Sequence, residues 1–214
     1  MILIGDLMEL DKYIVFEGAD GIGKSMLAKN FAQHFNAKYI FEPFGHTPQA
    51  MALREMALTK EIPSLAREYL LLGNRAIGYQ TVEKWLAEGH RVVSDRSFIS
   101  GMVYAYMEGF SFDRWFDMAC ELNINTKWNR PLVILCHNSQ FKNKDNPDDR
   151  YDNKPKDFHM QVTKTFFESL TFLDSKLAST GGLAYLAFEI DFNRTPEENL
   201  QELILRLTKA GIFI

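Results

Sequence analysis

The residues best suited to chemistry lie near the start of the chain, where an apolar segment runs into a glycine-rich turn. Residues 13–17 read Tyr-Ile-Val-Phe-Glu, and residues 18–25 read Gly-Ala-Asp-Gly-Ile-Gly-Lys-Ser. In this spacing the backbone N–H groups of the turn surround phosphate oxygens, the lysine reaches the β- and γ-phosphates, and the serine hydroxyl ligates Mg²⁺. A helix N-terminus directly after the turn also favours anions. The segment therefore predicts a P-loop that binds a nucleoside triphosphate through Gly18, Gly21, Gly23, Lys24, Ser25 and Met26.

A second pair of charged residues, Asp95 and Arg96, follows the apolar run Val92-Val93. An acid at a strand end beside a P-loop holds Mg²⁺ directly or through water. An arginine suits bidentate capture of a phosphate. Taken alone, the pair favours a structural ion pair at the start of a helix. Its combination with a P-loop favours the phosphate-binding interpretation.

These motifs need a scaffold that brings the ends of several strands together. Apolar strands alternate with helical patterns along the chain, which predicts a parallel sheet with helices on both faces. Ligands bind outside the carboxyl ends of such strands, so the motifs should surround one cleft. The predicted strands are 13–16, 38–41, 91–94, 131–136 and 184–190, the predicted helices are 26–35, 48–58, 65–88, 98–107, 112–122, 157–177 and 196–209, and a polar loop covers 137–156.

Length and composition narrow the class of protein. The chain has 214 residues, 46% of them hydrophobic, and a formal net charge of −4. We expect a single domain over 1–214, with no nucleic-acid partner because the chain has no long basic run. No apolar run approaches the length of a membrane span. Cys120 and Cys136 lack metal-ligand spacing and are expected to be reduced thiols, which favours a cytoplasmic protein.

The motifs together resemble those of the thymidylate kinase family. That family carries Phe-Glu-Gly-x-Asp-Gly-x-Gly-Lys-Ser at its P-loop, as residues 16–25 do here, and Asp-Arg-x-x-x-Ser-x-x-x-Tyr after the third strand, as residues 95–104 do. Between them it has a Glu-Pro-Gly-Gly-Thr-like loop, matched by residues 42–47, and an Asn-Arg or Asp-Arg on the long helix, matched by residues 74–75. An Arg-aromatic-acid run is matched by residues 150–152. The resemblance follows the whole chain in order.

The resemblance implies a fold and an activity. The fold is a three-layer α/β/α P-loop nucleoside monophosphate kinase with a five-stranded parallel sheet and a short lid at approximately 138–155. The activity is transfer of the ATP γ-phosphate to dTMP, which gives dTDP and ADP, with Mg²⁺ required. Family members are commonly homodimers. The alternatives are a kinase for another deoxynucleotide or for a deoxynucleoside, and a nucleotide-binding protein without catalysis.

The resemblance also implies residue roles. Lys24, Asp20, Arg96 and Arg150 are the expected catalytic residues, and Ser25 and Asp95 are the expected metal ligands. Arg75 is expected to hydrogen-bond the thymine carbonyl, and Arg96 the acceptor phosphate. The ring of Tyr104 is expected to crowd a 2′-hydroxyl. The full set of expected substrate-binding residues is Asp20, Glu42, Pro43, Phe44, Arg54, Leu71, Arg75, Arg96, Ser100 and Tyr104.

The P-loop of this chain contains no arginine, which resembles the bacterial type of the family, in which the lid supplies the catalytic cation. The segment 138–155 offers Lys142, Lys144, Arg150 and Lys154. A charged loop that is merely solvated is the alternative for the lysines. The lid lacks the arginine-dense run that is common in the family, and a lysine has no bidentate fork.

Two further positions depart from the family pattern. The aromatic residue that stacks on thymine is replaced by Leu71. Base–aromatic stacking is worth about 1–3 kcal/mol, so we expect weaker binding of the base. Phe44 of the altered loop is hypothesised to restore the stacking. The basic residue that the family has before Glu42 is replaced here by Phe41, and Arg54 is the candidate to supply the phosphate contact instead.

Overall fold

The computed structural model describes residues 12–59, 61–121, 131–138, 156–180 and 182–212. Most of the predicted lid lies outside these residues, as do Arg150 and the lid lysines at 142, 144 and 154. The predictions made for them therefore stay predictions.

The described elements alternate between strand and helix as the sequence predicts. Their bounds differ from the predicted ones by two residues at most; the first helix, for example, begins at Lys24 rather than at residue 26. The strands are β1 (Tyr13–Glu17), β2 (Lys38–Phe41), β3 (Val92–Asp95), β4 (Leu132–His137) and β5 (Tyr185–Glu189). The helices are α1 (Lys24–His34), α2 (Pro48–Leu58), α3 (Ser64–Ala87), α4 (Phe98–Met107), α5 (Phe112–Glu121), α6 (Lys156–Leu177) and α7 (Pro196–Lys209), and a short 3₁₀ helix follows α6 (Ala178–Thr180).

The five strands form one parallel sheet in the order β2-β3-β1-β4-β5. Phe16 of β1 pairs with Asp95 of β3, and Glu17 of β1 pairs with Leu135 of β4. The carboxyl ends of β1, β3 and β4 therefore lie side by side. This register places the P-loop, which follows β1, next to Asp95 and Arg96, which end and follow β3.

Alternate residues of β1 enter different parts of the core. Ile14 and Phe16 belong to a large apolar cluster, and Tyr13 and Val15 belong to a second, smaller cluster. Since successive side chains of a strand point to opposite faces, the sheet is covered on both faces. The α/β fold with a five-stranded parallel sheet is thus confirmed.

The helices that position the site begin with defined caps. Thr47 accepts a hydrogen bond from Ala50 N and is followed by proline at the first turn of α2. Ser97 accepts a hydrogen bond from Ile99 N at the start of α4. Such caps satisfy the N–H groups that a helix leaves unpaired at its start. They fix where α2 and α4 leave the loops that follow β2 and β3.

Among the described residues neither cysteine forms a disulfide; Cys136 is buried in β4, and Cys120 is half-buried in α5. Within the described part of the chain, no helix is long and apolar enough to cross a membrane.

Candidate active site

The P-loop adopts a backbone that only glycine permits at its ends. Gly18 has a φ of 140°, and a Cβ added there would lie 2.2 Å from the carbonyl oxygen of Cys136. Gly23 has a φ of 88° and caps the N-terminus of α1. The loop therefore lies tight against β4 before it turns into the helix, which leaves backbone N–H groups facing the cleft.

Lys24 and Asp95 form a buried ion pair across the ends of α1 and β3. The Nζ of Lys24 donates a hydrogen bond to Oδ1 of Asp95, and the hydroxyl of Tyr39 lies 3.4 Å from Oδ2. Burial alone would raise the pKa of Asp95, but the charges of Lys24 and Arg96 outweigh it and lower that pKa. The hydroxyl of Ser25 also stabilises the ionised form of Asp95. Asp95 is thus an anion at neutral pH, beside the P-loop lysine and serine.

A second ion pair joins Arg96 to Asp20 of the P-loop. Arg96 has a φ of 74°, an uncommon value for a residue with a side chain. Its Nη2 donates to Asp20, and its Nη1 donates to the carbonyl of Gly18 at 3.1 Å and to the hydroxyl of Ser100 at 2.8 Å. Tyr104 donates its hydroxyl proton to the other oxygen of Asp20 at 2.5 Å. Burial works against the ionised form of Asp20, but the charge of Arg96 and these hydrogen bonds keep its pKa low.

Glu17, at the end of β1, holds the start of α4 in place. It accepts hydrogen bonds from the hydroxyls of Ser97 at 2.6 Å and Ser100 at 2.5 Å, and from the backbone N–H of Ser100. A carboxylate is favourable at a helix N-terminus. Complete burial raises the pKa of Glu17 despite these bonds. No role was assigned to Glu17 from the sequence, although it stands in the P-loop motif.

A cavity of about 540 Å³ opens between the P-loop, β2, α2, α3 and α4. Polar side chains line its end near the P-loop, and both polar and apolar side chains line its inner end. Most of the expected substrate-binding and metal-binding residues line it. These are Asp20, Ser25, Glu42, Pro43, Arg54, Leu71, Arg75, Asp95, Arg96, Ser100 and Tyr104.

Helix α3 forms the inner wall through residues that share one face. Nε of Arg75 donates to Oε2 of Glu42 at 2.8 Å, and both side chains are buried. The charge of Glu42 keeps Arg75 ionised against the effect of burial and raises its pKa. The Nη1 of Arg75 is buried and has no hydrogen-bond partner among the residues that the structure describes. Arg75 also lines the cavity, so its unused donor lies in a residue of the cavity wall.

Glu68, one turn before Leu71 on the same face of α3, is a wall residue that the sequence analysis missed. Its Oε2 accepts a hydrogen bond from Nε1 of Trp115 at 2.9 Å. Burial raises the pKa of its carboxyl group. The helical spacing of Glu68, Leu71 and Arg75 was a usable signal, since residues three and four apart share a face. Trp115 gave no such signal, because it reaches this wall only through the packing of α5 on α4.

Phe44 is placed differently from the expectation that it stacks on a base. Its side chain is 1% exposed, belongs to the smaller core cluster and is absent from the cavity wall. The reason is Asn74 on α3, which bonds both the N–H and the carbonyl of Phe44 at 2.7 Å. A Cβ added at Gly78 would lie 3.1 Å from the ring, so Phe44 fits closely against α3. This corrects the stacking hypothesis and leaves Leu71 as the apolar side chain at that part of the wall.

Arg54 does line the cavity, as expected for a residue that replaces a lost cation. Its guanidinium lies 5.4 Å from the centroid of the Phe41 ring. Two predicted triphosphate contacts, Gly23 and Met26, line a smaller cavity of about 140 Å³ instead. Arg194, after β5, lies in the same wall. The smaller cavity lies between the start of α1 and the segment that follows β5.

The described residues contain no cluster of three or more His, Cys, Asp or Glu side chains that could enclose a metal ion. Mg²⁺ in phosphate-transfer sites is held by one or two protein ligands together with the substrate phosphates. The ionised Asp95 and the hydroxyl of Ser25, both in the cavity wall, fit that requirement.

The fold and the site together define a class. A glycine-rich loop between β1 and α1, a lysine at the helix start, an acid at the end of β3 and a cavity at the carboxyl ends of a parallel sheet are the features of a P-loop kinase fold.

Comparisons with known proteins narrow the class to a family. The family model described as thymidylate kinase matches residues 16–177. The chain therefore belongs to the thymidylate kinase family.

Individual relatives agree with the family model. A thymidylate kinase of Helicobacter pylori strain HPAG1 is 43% identical over 95 residues, which is 44% of this chain and 49% of the relative. A probable thymidylate kinase of Methanococcus vannielii is 36% identical over 106 residues, 48% of this chain and 50% of the relative. The matched region thus spans about half the length of each of these relatives.

A solved structure of thymidylate kinase from Ehrlichia chaffeensis superposes with a TM-score of 0.64, at 17% identity, over 92% of this chain and 98% of that one. At this identity the likeness supports the fold.

Proposed function

We propose that the protein is a dTMP kinase that transfers the γ-phosphate of ATP to dTMP and releases ADP and dTDP. The observation that carries the proposal is the wall of the cavity. It holds an unused arginine donor, Nη1 of Arg75, at its inner end and the Arg96–Asp20 pair at its P-loop end. A deoxynucleotide has a base carbonyl at one end and a phosphate at the other, so it matches both ends. Family membership and the names of the relatives support the same activity.

Phosphoryl transfer depends mainly on positioning and on neutralising charge, with little need for a strong base. In the proposal, Lys24 binds the β- and γ-phosphates of ATP, and the P-loop N–H groups surround them. Arg96 binds the acceptor phosphate. Asp20 and Tyr104, already joined by a hydrogen bond, face the sugar. Arg150 supplies a further cation to the transferred phosphate.

Mg²⁺ is proposed to be held by Asp95 and the hydroxyl of Ser25. A Mg²⁺ ion held there would neutralise charge on the transferred phosphate. Lys24 keeps the carboxylate of Asp95 ionised, as the lowered pKa of Asp95 indicates. Asp95 is therefore ready as a ligand at neutral pH.

The remaining parts of the proposal concern the protein as a whole. Residues 1–214 form one kinase domain with a lid at approximately 138–155, and Arg54 contacts a phosphate of the acceptor. The protein is proposed to be a cytoplasmic homodimer with small nucleotides as its partners.

The test is a coupled ADP-release assay with MgATP and a panel of dTMP, dUMP, dCMP, dGMP, UMP and thymidine. We expect the highest kcat/KM for dTMP. Preference for thymidine over dTMP would show a deoxynucleoside kinase. Absence of turnover on the whole panel, with ATP still bound, would show a nucleotide-binding protein without catalysis.

A further inference from the structure

Two buried polar side chains of α3 face the same cavity, with one apolar residue between them. Glu68, Leu71 and Arg75 all line it, and their spacing places them on one face of the helix. Glu68 and Arg75 are each 3% exposed. Polar groups buried to this degree are costly unless they are hydrogen-bonded.

Each of the two side chains has one atom committed to the protein and one that is not. Arg75 uses Nε for Glu42, and its Nη1 has no partner. Glu68 uses Oε2 for Trp115, and among the residues that the structure describes its Oε1 has no hydrogen-bond partner. The wall thus presents one fixed donor and one fixed acceptor.

The donor Nη1 of Arg75 and the ring of Trp115 both lie against Gly101 of α4, which has no side chain. A Cβ added at Gly101 would lie 2.7 Å from Nη1 of Arg75 and 2.8 Å from Cζ2 of Trp115, the residue that holds Glu68. The guanidinium of Arg75 also lies over the Trp115 ring, 6.0 Å from its centroid. Arg75, Trp115 and Glu68 therefore form one continuous surface behind Gly101.

We propose that Glu68 is a specificity-determining residue that accepts a hydrogen bond from the ring N–H of the acceptor's base, while Arg75 donates to the carbonyl beside it. This inference rests on the proposed function and assigns a residue to its base recognition. Thymine and uracil carry a carbonyl next to a ring N–H. Cytosine presents an amino group and an unprotonated ring nitrogen at the same positions, so both contacts are reversed.

The pairing of Glu68 with Trp115 also argues for a pyrimidine over guanine. Guanine has a carbonyl next to a ring N–H, but it adds an exocyclic amino group that needs a second acceptor. Oε2 of Glu68 already accepts a hydrogen bond from Trp115, so a second donor at this edge would have to share that oxygen. One free oxygen matches a base with a single N–H at that edge.

The first test is Glu68→Gln with dTMP and dCMP as acceptors. The amide oxygen must stay on Nε1 of Trp115, so the NH₂ group faces the base and opposes the ring N–H. We expect kcat/KM for dTMP to fall about tenfold or more, with dCMP unchanged or improved. The exposed Glu88→Gln, just past the same helix, is the matched control and should leave the dTMP-to-dCMP ratio unchanged.

The second test uses N3-methyl-dTMP, which lacks the N–H and carries a methyl group in its place. Wild-type protein should use it at least about tenfold less well than dTMP. In Glu68→Ala the carboxylate is gone and the methyl group has room, so the two acceptors should become nearly equal. If Glu68 only supports Trp115, its loss will lower both rates by one factor and leave the ratio as in wild type.

The outcomes separate this inference from the activity on which it rests. Wild-type protein without turnover on any monophosphate would overturn both. Turnover of dTMP with an unchanged dTMP-to-dCMP ratio in Glu68→Gln would overturn only the role of Glu68. Equal kcat/KM values for dTMP and N3-methyl-dTMP in the wild type would also overturn the role of Glu68, even if both variants failed to fold.

Discussion

The two ends of the cavity satisfy their charges in different ways. At the P-loop end Lys24 donates to Asp95 and Arg96 donates to Asp20, so each cation already has a carboxylate partner. At the inner end Arg75 is only partly paired, and its Nη1 is buried without a partner.

If the proposed function holds, we expect this difference to separate affinity for phosphate from recognition of the base. Phosphates that enter the P-loop end must compete with carboxylates that hold the same cations, so binding there is an exchange of partners. At the inner end a bound base meets a donor that no carboxylate competes for. A substrate whose base lacks a hydrogen-bond acceptor at that position leaves the donor unsatisfied, which costs about 1–3 kcal/mol. We therefore expect changes at the P-loop end to act on every substrate alike and changes at the inner end to depend on the base.

The largest expected effect is that of Lys24→Ala. Loss of a cation that stabilises the transferred phosphate should lower kcat by about 10²–10³, for every acceptor. The measurement is the steady-state rate together with the far-UV circular dichroism spectrum. Lys84→Ala, which removes a lysine that is 73% exposed on α3, is the control. Unfolding of Lys24→Ala under mild conditions would show that the lysine is structural.

A pair of arginine variants tests the contrast directly. Arg96→Lys keeps the charge but loses the fork that bonds Gly18 and Ser100, so kcat/KM should fall by one factor, about tenfold, for all monophosphates. Arg75→Lys keeps a charge near Glu42 but removes the free Nη1, so the loss should be about tenfold for dTMP and smaller for dCMP. A panel of kcat/KM values decides between them. The same base dependence in both variants would contradict the division of the cavity.

Gly101→Ala tests whether the inner wall depends on a missing side chain. The added Cβ would lie 2.7 Å from Arg75 and 2.8 Å from Trp115, so we expect a loss of about 1–3 kcal/mol in the free energy of unfolding. Gly73→Ala on α3 is the matched control, since its Cβ meets Leu53 at an ordinary 3.6 Å. That change should stabilise the protein by about 0.5–1 kcal/mol. Urea unfolding measures both, and equal effects would contradict the close approach at Gly101.

Leu71→Phe should strengthen binding of the base at the inner end of the cavity. An aromatic ring on this part of the wall adds base stacking, worth about 1–3 kcal/mol, so KM for dTMP should fall about tenfold while KM for ATP is unchanged. A rise in the KM for dTMP would mean that the cavity has no room for the ring in front of Glu68 and Arg75.

The smallest expected effects are changes in how the free energy of unfolding depends on pH. Asp20 at the P-loop end and Glu68 at the inner end should change it in opposite directions. The pKa of Asp20 is lowered in the folded state, mainly because the charge of Arg96 overcomes burial. Its contribution to stability is therefore full above the ordinary value of about 3.9 and is lost as the pH falls through the folded pKa. Asp20→Asn should make the loss of stability in acid shallower.

Burial raises the pKa of Glu68, so the folded protein takes up that proton at a higher pH than the unfolded chain does. Protonation of Glu68 then favours the folded state as the pH falls from its raised pKa towards the ordinary value of about 4.3. Glu68→Gln removes this gain and should make the acid loss steeper. Urea titrations from neutral pH down to about pH 2 cover the ranges in which both groups titrate, and slopes that change in the same direction would contradict the assignment.

Local sequence was sufficient for the elements and for the P-loop. The alternation of apolar strands and helical patterns predicted all five described strands and seven helices, because each pattern depends on neighbours close in the chain. The P-loop was readable for the same reason, since its glycines, lysine and serine act within eight residues. Asp95 and Arg96 were predicted to lie near it from the rule that strand ends share an edge, and the register of β1 with β3 confirms that placement.

The partners of the charged groups were beyond the sequence. Which carboxylate holds Lys24, and that Arg96 reaches back to Asp20, depends on contacts more than 70 residues apart in the chain. The prediction that Phe44 stacks on a base failed for this reason. Its loop gave no sign of a fixed position in the sequence, but Asn74 binds the backbone of Phe44 and holds the ring in the core.

The sequence by itself determined the family and the fold class, and it predicted the residues that bind phosphate, since these follow from short motifs and local periodicity. Only the tertiary structure decided that Arg75 keeps a free donor and that Trp115 turns Glu68 towards the same cavity. The physical reason is that hydrogen-bond satisfaction is a property of the packed arrangement. A side chain's unused atoms can be identified only when all its neighbours are in place.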